Sequence, residues 1–164
     1  MDNIITDNLV IRKFTLDDVS AHFKNNNEQQ IKNFMYNHWL CDVDTALKEI
    51  EGFLLDYEDM KKAEFHLAIT INGIIIGHVG IGKSDINNDA YEICCAIGKD
   101  YRGLGYAAEA TRAFAQWCKT ELDIDKIYAS TDTENIASCK TLINAGFCLT
   151  DIKIPDKNLS VYVF

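Results

Sequence analysis

Three apolar runs follow one another with only short polar breaks, and they restrict the fold more than any other feature of the chain. They are EFHLAITI from Glu64, IIIGHVGIG from Ile74 and AYEICCAIG from Ala90. Each is short and rich in β-branched residues, which reads as a strand. Asn72-Gly73 separates the first two, and both residues tolerate positive φ, so a two-residue hairpin is expected. DINND, Asp85 to Asp89, gives a looser turn before the third. A helix follows in GYAAEATRAFAQWCKTEL, where Ala107, Ala110, Phe114, Trp117 and Cys118 share one face. Then come a strand (KIYAST), a helix (NIASCKTLINA) with Gly146 as its C-cap, and two strands, FCLTDIKI and LSVYVF, around Pro155.

Upstream, LVIRKF from Leu9 reads as a strand. Thr15 and Asp18 then have capping-box spacing at the start of a helix reaching about Lys24. NNNEQQIKNFMY is polar at first and then reads as another short helix. DVDTALKEIEGFLLDYEDM is amphipathic, with Ala46, Leu47, Ile50, Leu54 and Tyr57 at helical spacing and Asp42 or Asp44 as its cap. The order predicts a single α+β domain over residues 1–164, with a mixed, mostly antiparallel central sheet flanked by helices. The passage from Tyr91 to Thr131 should be a right-handed parallel crossover.

Composition narrows the function classes. A net charge of −9 disfavours nucleic acid and suits a cationic substrate or simple solubility. No run of about 18 apolar residues exists to span a membrane. The N-terminus lacks the basic and apolar regions of a signal peptide. Six cysteines without such a signal point to reduced thiols in a cytoplasm. None shows Cys-x-x-Cys spacing, and Cys94 and Cys95 are adjacent, so no metal site is expected. No His is locally placed to activate Cys94, Cys95 or Cys139, which read as packing. His66 and His78 read as packed or surface histidines.

Two features carry chemistry. A lone Glu92 stands in an apolar strand, where an unpaired carboxylate is costly. Gly103 and Gly105 stand immediately before a helix start. That arrangement makes an anion site, because first-turn N–H groups lack partners and the helix dipole adds positive charge. Arg102 offers a charge-assisted contact. Neither the P-loop nor the three-glycine dinucleotide fingerprint is present.

The stretch YRGLGYAAEA resembles the R/Q-x-x-G-x-G/A loop of the GNAT acetyltransferases, through Arg102, Gly103, Leu104, Gly105, Tyr106 and Ala107. LVIRKFTLDD and NIASCKTLINAGF, through Asn135, Ser138, Leu142, Gly146 and Phe147, resemble the branch that includes the ribosomal-protein N-terminal acetyltransferases. Lys99 and Asp100 depart from that pattern, in which a proline is common. The resemblance implies that acetyl-CoA, as co-substrate, sets its pyrophosphate on the backbone of Arg102 to Ala107. Its pantetheine would lie beside Cys95, Ala96 and Ile97, in a slot between two splayed parallel strands. Asn135 would add a cofactor contact to its helix-capping role.

The implied activity is direct acetyl transfer to a primary amine, either a protein N-terminus or a small molecule. Glu92 is the candidate base, directly or through water, or a group that orients the amine. Ser138 would donate to the leaving sulfur or orient it. His38 and Trp39 fall in the region that covers the acceptor pocket in such a fold, although Tyr36 and Trp39 also read as core. The chain stops at Phe164 soon after its last strand, so one wall of that pocket is expected to be short. An exposed strand edge or the early helices offer a surface for homodimerisation. The alternative from another class is an acyl-CoA sensor that binds without turnover.

Overall fold

The computed structural model describes every residue except Asp85 and residues 87–89, and of Tyr36 the backbone alone. The turn expected at Asp85 to Asp89 therefore lies, but for Ile86, outside the described residues. Asn72 and Gly73 take φ values of 50° and 79°, which closes the expected hairpin between β3 (Phe65–Ile71) and β4 (Ile74–Lys83). Around it the chain builds one sheet. The other strands are β1 (Ile4–Ile5), β2 (Val10–Arg12), β5 (Tyr91–Ile97), β6 (Ile127–Asp132), β7 (Cys148–Leu149) and β8 (Leu159–Val163). Their spatial order is β1-β2-β3-β4-β5-β6-β8-β7. Every pairing is antiparallel except that of β5 with β6.

Helices cover both faces. Residues α1 (Val19–Asn26), α2 (Gln29–Phe34) and α3 (Val43–Asp56) precede β3, α4 (Tyr106–Glu121) links β5 to β6, and α5 (Ile136–Ala145) follows β6. Strand alternation sorts the core. Leu67 and Ile69 pack in the cluster of Phe114 and Cys118 from α4, while Ala68 between them packs with Phe14, Ile50 and Phe53. Local signals explain the helix ends. Asp42 Oδ1 accepts from Thr45 N at 2.7 Å and caps α3, and Gly146 closes α5 at φ 97°.

The differences from expectation are local. The helix expected from Leu16 begins as a 3-10 turn, Leu16–Asp18, before α1. The residues after Asp56 also tighten to 3-10, over Tyr57–Lys62. Leu47, assigned to the buried face of α3, is 36% exposed. FCLTDIKI stays extended in the sheet only over Cys148–Leu149. There the Thr150 hydroxyl accepts from Ile152 N at 3.2 Å, a local turn that competes with the ladder. Ile4–Ile5 adds a short edge strand not expected from the sequence.

The feature that matters for function is where β5 and β6 part. They pair only through Tyr91 with Ile127 and Glu92 with Tyr128. Beyond Glu92, β5 continues along β4 and β6 continues along β8. The gap opens one edge of β5 toward a cavity of about 1000 Å³.

Candidate active site

One end of this cavity is made of backbone. Gly103 and Gly105 take φ values of 77° and 87°, a region that side chains rarely adopt. Gly105 is the N-cap of α4 and supplies no side chain to the helix's first N–H groups. Those groups are the unpaired donors of an anion site. Open space surrounds the position of an absent Cβ at both glycines. Gly103, Gly105, Tyr106 and Ala107 line the cavity, as do Cys95, Ala96 and Ile97 of β5 and Asn135 and Ser138 of α5. The pyrophosphate and arm of an acyl-CoA fit this chemistry. A negative group meets unpaired donors at the helix, and an amide-bearing chain meets a strand edge without a partner strand.

The expected residues are placed as follows. Arg102 does not aim its guanidinium at the loop. Its Nε donates to the Ile97 carbonyl at 2.7 Å, Nη1 donates to Gln30 Oε1 at 2.7 Å, and Nη2 pairs with Glu28 Oε2 at 3.0 Å. Arg102 thus braces the loop against α2 while still lining the cavity. Leu104 is 62% exposed and turns its side chain to solvent. Asn135 Oδ1 accepts from Ser138 N at 3.2 Å, so its capping role is present. Cys95 sits against the start of α4, with Sγ 4.0 Å from the Ala107 carbonyl, and burial pushes its thiol up to about 12.

Glu92 lies at the crotch of the splay. Its Oε1 accepts from Ser130 N at 2.8 Å and from the Ser130 hydroxyl, and its Oε2 accepts from Ser84 Oγ at 2.8 Å. The carboxylate therefore takes over the ladder where β6 leaves β5, and it still lines the cavity. Nothing in the sequence singles out either serine, because Ser84 lies just past β4 and Ser130 within β6, and only strand pairing brings both to Glu92.

The other end is made of titratable side chains. All four histidines of the chain converge here. Ring centroids stand 5.6 Å apart for His22 and His78, 5.2 Å for His38 and both His66 and His78, and 5.9 Å for His66 and His78. Cys94 joins them, with Sγ 3.5 Å from His66 Nε2. The register explains the meeting. His66, Gly80 and Cys94 are aligned across β3, β4 and β5. A Cβ at Gly80 would overlap the His66 ring, so the glycine is what lets the imidazole lie across toward the thiol.

Glu49 of α3 holds the cluster from above. Its Oε2 is 2.6 Å from His22 Nε2, and its Oε1 is 3.8 Å from His38 Nδ1. Burial alone would raise the Cys94 thiol, but the charge of His66 and hydrogen bonds with His38 and His66 bring it down to about 6. Burial would lower His38, but the neighbouring Cys94 thiol and Glu49 carboxylate lift it to about 10. The expectation that no histidine activates Cys94 is therefore corrected. His38 lines the cavity as expected, and so do His66 and Cys94. Trp39 is only half-buried, with Lys32 Nζ 4.3 Å from its ring centroid, so it is not core.

A mixed sheet that parts at one parallel pair, opening on a cavity that an uncapped helix with glycines at its mouth also lines, is a scaffold that an acyl-CoA would fit. Comparison with known proteins agrees. Residues 8–148 match the acetyltransferase (GNAT) domain model. The uncharacterized N-acetyltransferase p20 of Bacillus licheniformis is 25% identical over 169 residues, covering 100% of this chain and 95% of its own. RimL, a ribosomal L7/L12 alpha-N-protein acetyltransferase solved with coenzyme A, superposes with a TM-score of 0.80 at 14% identity, over 99% of this chain and 97% of its own. The microcin C7 self immunity acetyltransferase MccE, solved with acetyl-CoA and AMP, gives a TM-score of 0.76 at 17% identity, over 97% and 93%. The chain belongs to the GNAT acetyltransferase family. No helix among the described residues is long and apolar enough to cross a membrane.

Proposed function

We propose that the chain is an acetyl-CoA-dependent N-acetyltransferase that acts on a primary amine, either a protein N-terminus or a small molecule. The observation that carries this is the parting of β5 and β6 beyond Glu92, onto the same cavity that the uncapped N-terminus of α4 lines. Family membership supports acetyl transfer, and two of the solved neighbours hold coenzyme A or acetyl-CoA. The backbone of Arg102 to Ala107 and the first turn of α4 would bind the pyrophosphate. The open edge of β5 at Cys95 to Ile97 would hold the pantetheine arm.

Acetyl-CoA supplies an activated thioester carbonyl. The chain must supply a neutral amine in line with it and a polar setting for the departing sulfur. Glu92 takes the amine's proton, directly or through water, and its hydrogen bonds from Ser84 and Ser130 fix its orientation. Ser138 orients the sulfur from across the slot. The net charge of −9 favours the approach of a cationic acceptor.

One observation favours the second reading, a binding domain that senses acyl-CoA without turnover. Both Glu92 oxygens are already engaged in holding β6 to β5 and Ser84, which suits a purely structural carboxylate. A thiol-release assay across amines and N-terminal peptides separates the two. Turnover that Glu92→Gln removes while acetyl-CoA still binds supports the enzyme. Acetyl-CoA binding with no turnover on any acceptor supports the sensor.

A further inference from the structure

The histidine and cysteine cluster is larger than acetyl transfer requires, and one member lacks hydrogen bonds. His78 is 1% exposed, and neither of its ring nitrogens has a hydrogen-bond partner among the described residues. A buried imidazole always carries at least one N–H, and leaving such a group unpaired costs about 1–3 kcal/mol. His78 has small neighbours across the sheet, Ala68 on β3 and Ala96 on β5. Phe14 and Phe53 pack around the cluster on this face, but neither offers a hydrogen-bonding group to His78. The face is shared with other imidazoles.

The ligand atoms of His38, His78 and Cys94 all lie within 4.8 Å of one another. Tetrahedral zinc ligands at ordinary Zn–N and Zn–S lengths stand about 3.4–3.6 Å apart. Closing this set around an ion thus needs side-chain movements of about 1 Å. His38 sits on the short 3-10 segment Tyr36–His38 and can supply much of that. His66 Nε2 is 3.5 Å from Cys94 Sγ but lies outside this mutually close set, so it must swing further than the others to complete it.

The surroundings are those of a metal centre. His38 turns Nδ1 toward Glu49, leaving Nε2 as its ligand atom. Glu49 is in turn held by His22, whose Nδ1 is 3.2 Å from Asn26 Nδ2. A carboxylate behind a ligating imidazole fixes its tautomer and raises its basicity. One thiolate with imidazoles suits a borderline-soft ion and does not suit magnesium or calcium.

We propose that His38, His78 and Cys94, with His66 as fourth ligand, bind a zinc-class divalent ion beside the acceptor end of the cavity. Binding displaces the thiol proton and fills the vacancies on His78. The sequence hides this site because its ligands come from four separate elements with no pair at metal-binding spacing. The proposal does not depend on the acetyltransferase reading, since its test reads the metal itself.

The experiment titrates Zn²⁺ into the metal-free full-length chain by calorimetry and records the spectrum with Co²⁺. The expected result is one equivalent bound, with a thiolate-to-cobalt charge-transfer band and the visible bands of a tetrahedral site. Cys94→Ser should remove the charge-transfer band and weaken zinc binding by about 100-fold or more, beyond what loss of a group behind a ligand causes. Glu49→Gln should weaken it by about 10-fold. Cys148→Ser, at the exposed edge strand, should change nothing. If Cys94→Ser does not fold, His38→Gln on the 3-10 segment reads the same loss. Absence of a thiolate band, or a band that survives Cys94→Ser or His38→Gln, overturns the proposal.

Discussion

The two ends of the cavity are built from different materials. The end at α4 uses backbone: two glycines at positive φ and a helix terminus that no side chain caps. The end at β3 to β5 uses side chains brought from α1, α3, a 3-10 turn and three strands, crowded closely enough to shift each other's protonation. A backbone site tolerates much sequence change outside its glycines. A side-chain site depends on every element that delivers a member. Substitutions should therefore act locally at the first end and cooperatively at the second.

Glu92 joins the two ends, and its replacement should have the largest effect. Glu92→Gln is expected to lower turnover by about 10²–10⁴-fold, the range of a lost general base. Acetyl-CoA affinity should stay nearly unchanged, as calorimetry would show. Equal losses of turnover and affinity would make Glu92 a strut of the slot alone.

Gly105→Val should weaken acetyl-CoA by about 10–100-fold, since φ 87° strains a β-branched residue and its side chain enters the cradle. The reactivity of Cys94 toward a thiol reagent should not move. A coupled change would deny that the two ends are independent.

Gly80→Ala tests the second end. The added methyl meets the His66 ring, so stability should fall by about 1–3 kcal/mol in denaturant titration. Cys94 should lose reactivity near neutral pH as His66 is displaced.

The smallest effect belongs to neither end. Asp18 accepts from Arg12 Nη1 at 2.7 Å and from Thr15 N at 2.7 Å. Burial alone would raise its carboxyl, but these bonds hold it below its ordinary value of 3.8. Its stabilisation is therefore present above pH 3.8 and lost as pH falls through the depressed value. Asp18→Asn should cost about 1 kcal/mol at neutral pH and flatten that acid limb in a melting-temperature series. Cofactor binding should be untouched.

The same contrast explains what was legible beforehand. The hairpin, the α4 loop, the Asp42 and Gly146 caps and the run of strands show in the sequence because each rests on residues a few positions apart. The splay at Glu92 came from resemblance to a family and not from spacing. The partners of Arg102 are not legible in the sequence, because nothing local reveals that Glu28 and Gln30 meet it. The cluster around Cys94 was missed for the same reason. His38, His66, His78 and Cys94 look ordinary one at a time, and only strand register, with Gly80 leaving space, sets them together.

The central claim is that the parted strands and the α4 terminus form an acyl-CoA site. Its most direct test is calorimetric titration of acetyl-CoA into the purified chain, beside ATP and beside Gly105→Val. The account predicts saturable binding of acetyl-CoA, little or none of ATP, and a clear loss in the variant. Absence of acetyl-CoA binding, or equal binding of ATP, would contradict it.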